Sequence, residues 1–392
     1  MKKLFALLLA SIMVVALLAG CAPSNNAPDD SGETGDAAAA GVIKIGTSGP
    51  LNNDYAVYGV AVANGLELAF EEINALGGLQ FETRAEDDEA DVEPAVNAYN
   101  TLMDWGMQIM AGPTTSGSAA ATAAECANDG VFMLTPSASD AAVITAGDNI
   151  FQICFSDPNQ GKASADYIFD NKVATKVGII YDSSSPYSTG IYQTFKTRAG
   201  ELGLEIATEQ AFTNDTKADL TTQVTSCKEA GCDLVFLPLY TAEAVQVLNS
   251  ASKIGYEPKF FGCDGLDGIL DVEGFDTSLA EGVMLLTPFD STAQDEKTQA
   301  FVKAYTEKFG VAPNQFAADA YDVGYAIYAA CKAMNITADM SAEDICENMI
   351  EWFTTNEFDG LTGEDMTWGE DGAVSKYPKA VMIENGIYVT AE

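Results

Sequence analysis

Residues 42–86 read VIKIGTSGPLNNDYAVYGVAVANGLELAFEEINALGGLQFETRAE, and this stretch decides the fold class. Val42-Ile43-Lys44-Ile45 is a short β run. From Tyr58 to Leu76 the apolar residues Val62, Leu66, Phe70, Ile73 and Leu76 recur at helical spacing, and Gly77-Gly78 ends the run. Phe81 to Glu86 then alternates as a strand does. A strand, a crossover helix and a second strand form the unit of a parallel sheet.

Working outward, the rhythm continues. Pro94–Trp105 reads as helix, Met107–Ala111 as strand, Ser118–Asn128 as an Ala-rich helix and Val131–Leu134 as an apolar strand. It restarts in the second third: strand Val177–Tyr181, helix Tyr187–Leu202, strand Glu205–Phe212, helix Leu220–Ala230, strand Leu234–Leu237, helix Glu243–Ile254, and strands Lys259–Gly262 and Val283–Leu286. Helices follow at Gln299–Phe309, Gln315–Met334 and Ser341–Phe353, then turn-rich β runs around Met366–Trp368, Ala380–Ile383 and Ile387–Val389. The expected fold class is α/β, with two doubly wound parallel-sheet lobes. Each lobe presents its strand C-termini at one edge, so a cleft between lobes is the default site. Candidate crossings are Phe155–Asn159, Thr287–Asp290 and the stretch near Trp368-Gly369.

The N-terminus carries a separate message. Met1-Lys2-Lys3 is a cationic head, and residues 4–19 are apolar apart from one Ser, too short for the roughly 20 residues that span a bilayer. The run ends in Leu18-Ala19-Gly20-Cys21, which resembles a bacterial lipobox with Cys21 as the lipidated residue; a plain signal peptide or a transmembrane anchor is the alternative. Residues 22–40 hold no large apolar side chain and read as a flexible tether of about 25 Å. The expected organisation is a signal peptide at 1–20, a lipid-anchored tether at 21–40, one lobe from 41–156 plus 289–365, and the other from 157–288 plus 366–392.

Composition removes whole classes of function. Lys and Arg total 19 against 58 Asp and Glu, a net charge of -39, which no binder of phosphate backbones carries. His is absent, so imidazole catalysis and ordinary His-bearing zinc sites are excluded. The cysteines beyond Cys21 (Cys126, Cys154, Cys227, Cys232, Cys263, Cys331, Cys346) lack metal-ligand spacing and read as small buried hydrophobes; a disulfide, with Cys227 and Cys232 as the only close pair, is the alternative. The run Gly112–Ser118 lacks the Lys and spacing of a phosphate loop, and Glu86–Asp91 misses calcium-loop spacing. No cofactor, metal or enzymatic activity is expected.

The segments Ile43–Gly59, Ala69–Gly78, Asp87-Asp88 with Pro94, Gly112–Ser118, Leu134–Ser139 and Asp182–Gly190 together resemble the type I solute-binding proteins of ABC importers, the Leu/Ile/Val-binding family. The likeness runs from about residue 42 to 392. It implies two α/β lobes joined by three hinge segments that close on a small solute. The implied ligand is a branched-chain or related amino acid, delivered to an ABC permease and ATPase complex, and the receptor is expected to be an extracytoplasmic monomer anchored to the bacterial cell membrane. A receptor for a short amide, urea or aromatic acid, or a ligand-sensing lipoprotein, are the alternatives.

A zwitterionic guest needs donors for its carboxylate, and Arg84 and Arg198, the only arginines, fall outside these motifs. Hydroxyls and backbone N–H groups at a helix N-terminus must then serve. Ser116 has that position; capping its own helix, with Ser118, is the alternative. The family likeness implies Ser116 and Ser139 as carboxylate contacts, Ser137 and Ala138 as sources of backbone groups, and Asp264 as the ammonium partner. Asp264 also reads as a turn former beside Gly265, and Asp267 is its near competitor. Tyr58, Tyr187 and Tyr240 match cleft-lining positions, with ordinary packing as the alternative, and Phe316 is a weaker candidate.

Overall fold

The computed structural model describes residues 41–391, so the leader, the tether and the lipidation candidate Cys21 lie outside the described residues. The first sheet takes β1 (Val42–Gly49), β2 (Gln80–Asp87), β3 (Ile109–Met110), β4 (Phe132–Thr135) and β5 (Ile150–Gln152), joined by α1 (Ala56–Ala75), α2 (Val92–Trp105) and α3 (Ser116–Asp129). Its order is β2-β1-β3-β4-β5, every pair parallel. The second sheet follows α4 (Asp157–Asp170) and comprises β6 (Lys176–Asp182), β7 (Glu205–Phe212), β8 (Leu234–Leu237), β9 (Lys259–Gly262) and β10 (Met284–Thr287), with α5 (Pro186–Leu202), α6 (Thr221–Glu229) and α7 (Thr241–Lys253) between them. The strand order β10-β9-β8-β6-β7 repeats the topology of the first sheet.

Three helices then return to the first sheet: α8 (Glu296–Phe309), α9 (Gln315–Ala333) and α10 (Ala342–Thr355). α9 lies so close to α1 that a Cβ on Gly65 would come within 2.3 Å of the Ala317 carbonyl oxygen. The hairpin β11 (Lys379–Glu384) and β12 (Ile387–Thr390) finally adds antiparallel strands beside β10. Its two-residue turn, Asn385-Gly386, takes the positive φ values of a tight hairpin.

The inner strands β4, β8 and β10 are buried on both faces, which is why they are continuous runs of buried residues, whereas the edge strands β2 and β7 are mixed and partly exposed. The chain first crosses between lobes at Cys154: Ile153 packs in the first-lobe core and Phe155 in the second. It returns after Thr287, since Leu286 belongs to the second core and Phe289 to the first. The third passage corrects the sequence reading. Met366, Trp368 and Val374 stay in the first-lobe core, so the expected transfer at 366 and the crossing near Trp368-Gly369 come too early. Trp368 packs edge-on to Phe353 at 4.7 Å, and its Nε1–H donates to the Gln152 carbonyl at 2.9 Å; crossing earlier would strip that indole of its partners. A strand at Met366–Trp368 is likewise reduced to two isolated bridges.

α4 and β5 have no counterpart in the sequence reading: α4 is largely polar in sequence, and β5 has only three residues. All seven cysteines among the described residues are buried and free.

Candidate functional site

Both sheets reverse strand order at an equivalent place, between β1 and β3 in the first and between β6 and β8 in the second. Loops leaving the carboxyl ends of strands at such a point bracket a crevice. The loop after β3 leads through Thr114 and Thr115 into α3, while those after β6 and β8 lead into α5 and α7, bringing Tyr187 and Tyr240. β9 ends at Gly262, and a turn of 3-10 helix over Asp264–Leu266 follows. Together these loops enclose a cavity lined by Tyr58, Thr114, Thr115, Ser137, Tyr187, Tyr240, Asp264, Gly265 and Phe316.

The aromatic walls are in direct contact. Tyr187 stacks on Tyr240 at 4.7 Å, and Tyr58 packs against Tyr240 at 5.2 Å and against Phe316 at 4.9 Å. The Tyr58 hydroxyl donates to the Gly265 carbonyl at 2.6 Å and accepts the Thr241 N–H at 2.7 Å, so one first-lobe side chain holds two second-lobe loops. Gly265 has to be glycine: a Cβ there would lie 2.5 Å from Tyr187 Oη and 2.6 Å from the Leu239 carbonyl oxygen. The lobes are therefore shut on one another, and the cavity left, about 10 Å³, holds roughly one water. An amino acid enters only when the jaws part.

Asp264 sits at the floor. Tyr187 Oη donates to Oδ1 at 2.8 Å, the Gly265 N–H donates to the same oxygen at 2.7 Å, and the Gln315 amide donates to the Asp264 carbonyl at 3.1 Å. Burial outweighs these hydrogen bonds and pushes its carboxyl up to about 7. Asp267 works elsewhere. Its Oδ2 accepts the Gln315 N–H at 2.8 Å at the start of α9, away from the cavity, with burial raising its pKa to about 6. Of the two acids, Asp264 lines the tyrosine-walled cavity and Asp267 does not.

The first-lobe wall differs in detail from the sequence reading. Ser116 opens α3, whose N-cap Thr115 makes no side-chain capping bond, so the helix does not use a serine as its cap. Ser116 Oγ instead accepts the Asp140 N–H at 3.2 Å, and neither Ser116 nor Ser139 lines the shut cavity. Thr114 and Thr115, which carry no role in the sequence reading, do line it. Ser137 donates through Oγ to the Thr114 carbonyl at 2.6 Å. The N–H groups of Ser137 and Ala138 both donate to Thr135 Oγ1, at 3.4 and 3.0 Å, so of the backbone groups expected from these two residues the amides are occupied. Ser139 Oγ is buried without a hydrogen-bond partner among the described residues.

A larger cavity, about 800 Å³, opens between the lobes farther out and shares no lining residue with the first. Its inner edge is a clasp in which Tyr55 Oη donates to Glu243 Oε1 at 2.5 Å and Lys217 Nζ bonds the same carboxylate at 3.2 Å. It lacks the converging hydroxyls and lies off the switch points, so the tyrosine-lined cavity is the candidate site.

Known proteins fit this geometry. The profile of the periplasmic binding protein family matches residues 42–386. A Leu/Ile/Val-binding protein homolog from Brucella melitensis is 27% identical over 304 residues, spanning 76% of this chain and 81% of that relative. The leucine-, isoleucine-, valine-, threonine- and alanine-binding protein of Pseudomonas aeruginosa is 25% identical over 86% of this chain and 89% of its own length. Among solved structures, the branched-chain amino acid transporter substrate binding protein LivJ from Streptococcus pneumoniae, in complex with isoleucine, superposes with a TM-score of 0.81 at 28% identity, covering 90% of this chain and 99% of that one. A Rhodopseudomonas palustris solute binding protein in complex with benzoate shares the fold, with a TM-score of 0.79 at 19% identity over 89% of this chain and 95% of that one. With two wound lobes shut across paired switch points and a profile that spans nearly all of both, the chain belongs to the periplasmic binding protein family, type I, in its Leu/Ile/Val-binding group.

Proposed function

We propose that this protein is the extracytoplasmic receptor of an ABC importer, tethered by lipid at Cys21, that captures a branched-chain or related amino acid by hinge closure and delivers it to the permease without chemistry on the ligand. The observation that carries the reading is the polarity of the cleft. One wall offers the side-chain-uncapped N-terminus of α3 with Thr114 and Thr115, and the other offers the buried carboxylate Asp264. A helix N-terminus favours the ligand's carboxylate and a buried acid its ammonium. Tyr58, Tyr187 and Tyr240 supply apolar area for an aliphatic side chain at low entropic cost. Closure draws on contacts made from both lobes at once, so the guest shifts the population toward the shut form.

The relatives named for Leu, Ile and Val support the ligand class, and family membership supports a location outside the cytoplasm and an importer as partner. A second reading, an aromatic acid, draws support from the tyrosine-rich wall and from the benzoate-bound relative in fold. Titration calorimetry with L-leucine, L-isoleucine, L-valine, L-alanine and benzoate separates the two: heat with an aliphatic amino acid supports the first, heat with benzoate alone supports the second, and heat with none removes both.

A further inference from the structure

α4 begins just past the point where the chain first passes from one lobe to the other, and its first residue is Asp157. The side chain is 1% exposed, and among the described residues neither carboxylate oxygen has a hydrogen-bond partner. Burying a charged carboxylate alone costs several kcal/mol, so such a group is either protonated or awaiting a cation. No ion pair reaches Asp157 among the described residues, and the buried lysine Lys376 is held by Asp319.

Two neighbouring groups are unpartnered as well. Ser139 Oγ is near enough to favour the charged form of Asp157 yet makes no hydrogen bond of proper geometry, and Gln160 Nε2 donates to nothing. Asp157 and Gln160 are three residues apart and share a face of α4. Gln160 Oε1 accepts the Asp264 N–H at 3.1 Å, which turns that face toward the Asp264 loop. Gly190, one turn along α5 from Tyr187, makes the room: a Cβ there would lie 3.1 Å from Asp157 Oδ2. Burial above all, and then the charges of Asp264 and Asp140, hold the Asp157 carboxyl well above the ordinary carboxylate range.

We propose that Asp157 is a second anionic contact for the ligand's ammonium group, acting with Asp264 and Ser139, and that the site accordingly takes ligands with a primary ammonium and rejects carboxylic acids that lack one. The inference rests on the amino-acid reading of the cleft and narrows it. An ammonium has three N–H donors to place. Asp264 accepts its protein hydrogen bonds through Oδ1, leaving Oδ2 for the guest, and Asp157 and Ser139 Oγ supply the remaining acceptors. An aromatic acid would bring its own charge against two carboxylates.

The test uses whichever of L-isoleucine, L-leucine, L-valine or L-alanine binds the wild-type chain most tightly, together with the same acid without its amino group, for isoleucine 3-methylpentanoate. Wild type is expected to bind the deaminated acid about 100-fold more weakly or worse. Asp157→Asn is expected to lose roughly 10- to 100-fold toward the amino acid, the worth of a charged hydrogen bond, while its affinity for the deaminated acid holds or rises. A purely structural role would weaken both ligands by one factor, and that result overturns the proposal, as does an Asp157→Asn protein indistinguishable from wild type or a wild type that binds both ligands alike. Should Asp157→Asn not fold, Asp157→Glu keeps the charge and moves it by a methylene: a loss confined to the amino acid supports the contact, and an equal loss for both overturns it. A wild type that binds no ammonium-bearing ligand removes the receptor reading and this contact together, whereas failure of the variant comparison alone removes only the contact.

Discussion

The two lobes carry one topology and opposite chemistry. In each, strands in the order 2-1-3-4-5 open a crevice where the order turns. The first lobe fills its crevice with threonine and serine hydroxyls and the start of α3, a set of donors without a formal charge. The second fills it with stacked tyrosines and the buried acid Asp264, with Asp157 buried close by. A repeated scaffold thus sets where a ligand sits, and the loops set which end of the ligand each jaw receives.

The largest expected effect tests whether the acid side dominates. Asp264→Ala removes an acceptor held by Tyr187 and Gly265, and affinity for an ammonium ligand should fall by several kcal/mol, read by calorimetry. A drop below tenfold would mean that the first lobe does most of the binding.

Acidity tests the same jaw without mutation. Burial holds Asp264 at about 7, so below that pH the carboxyl is protonated and an incoming ammonium must expel the proton. Affinity should fall by up to about tenfold per unit as pH drops below 7. The ligand-free protein should respond in the opposite sense. A folded-state pKa above the unfolded value of about 4 gives stability that is complete at low pH and lost as pH rises through 7, up to about 3 kcal/mol between pH 5 and 8. Melting temperatures without ligand should therefore be higher at pH 5 than at pH 8; parallel trends with and without ligand would break the assignment.

Tyr58→Phe probes the seam between the jaws, since it deletes the hydroxyl that joins Gly265 and Thr241 to the first lobe. About 1 to 2 kcal/mol of closure is at stake, and affinity should drop about tenfold with little change in ligand preference.

The smallest effect sharpens the first-lobe side. Ser116→Ala costs the acceptor for the Asp140 N–H and one hydroxyl near the helix start, about 1 kcal/mol, and affinity should weaken about fivefold. An unchanged affinity would leave the backbone of α3 and the threonines as the carboxylate partners.

Much of this is legible in the chain, and the exceptions have a pattern. Tyr58, Tyr187, Tyr240, Ser137 and Asp264 stand out in the sequence and line the cavity together. Ser116 and Ser139 stand out too, but neither lines the shut cavity: one is turned to the Asp140 amide and the other is beside Asp157. Asp157 itself is hidden because α4 has a polar sequence with little apolar period, and an acid after Ser156 looks like an ordinary helix start. Its lone signal is its place inside the expected crossing segment Phe155–Asn159.

Strand and helix periods, the doubled wound lobe, the absence of imidazole and the excess of acid are written in residues that lie within a few positions of one another or in simple counts, and the chain alone determined them. Which acid faces the cavity, which hydroxyl is occupied and where the last crossing falls were decided only when segments such as Ser139 and Asp157, Tyr58 and Gly265, or Gln315 and Asp264 met in the folded protein. Those outcomes depend on which partner satisfies each buried polar atom, and residues as much as two hundred positions apart supply the partners.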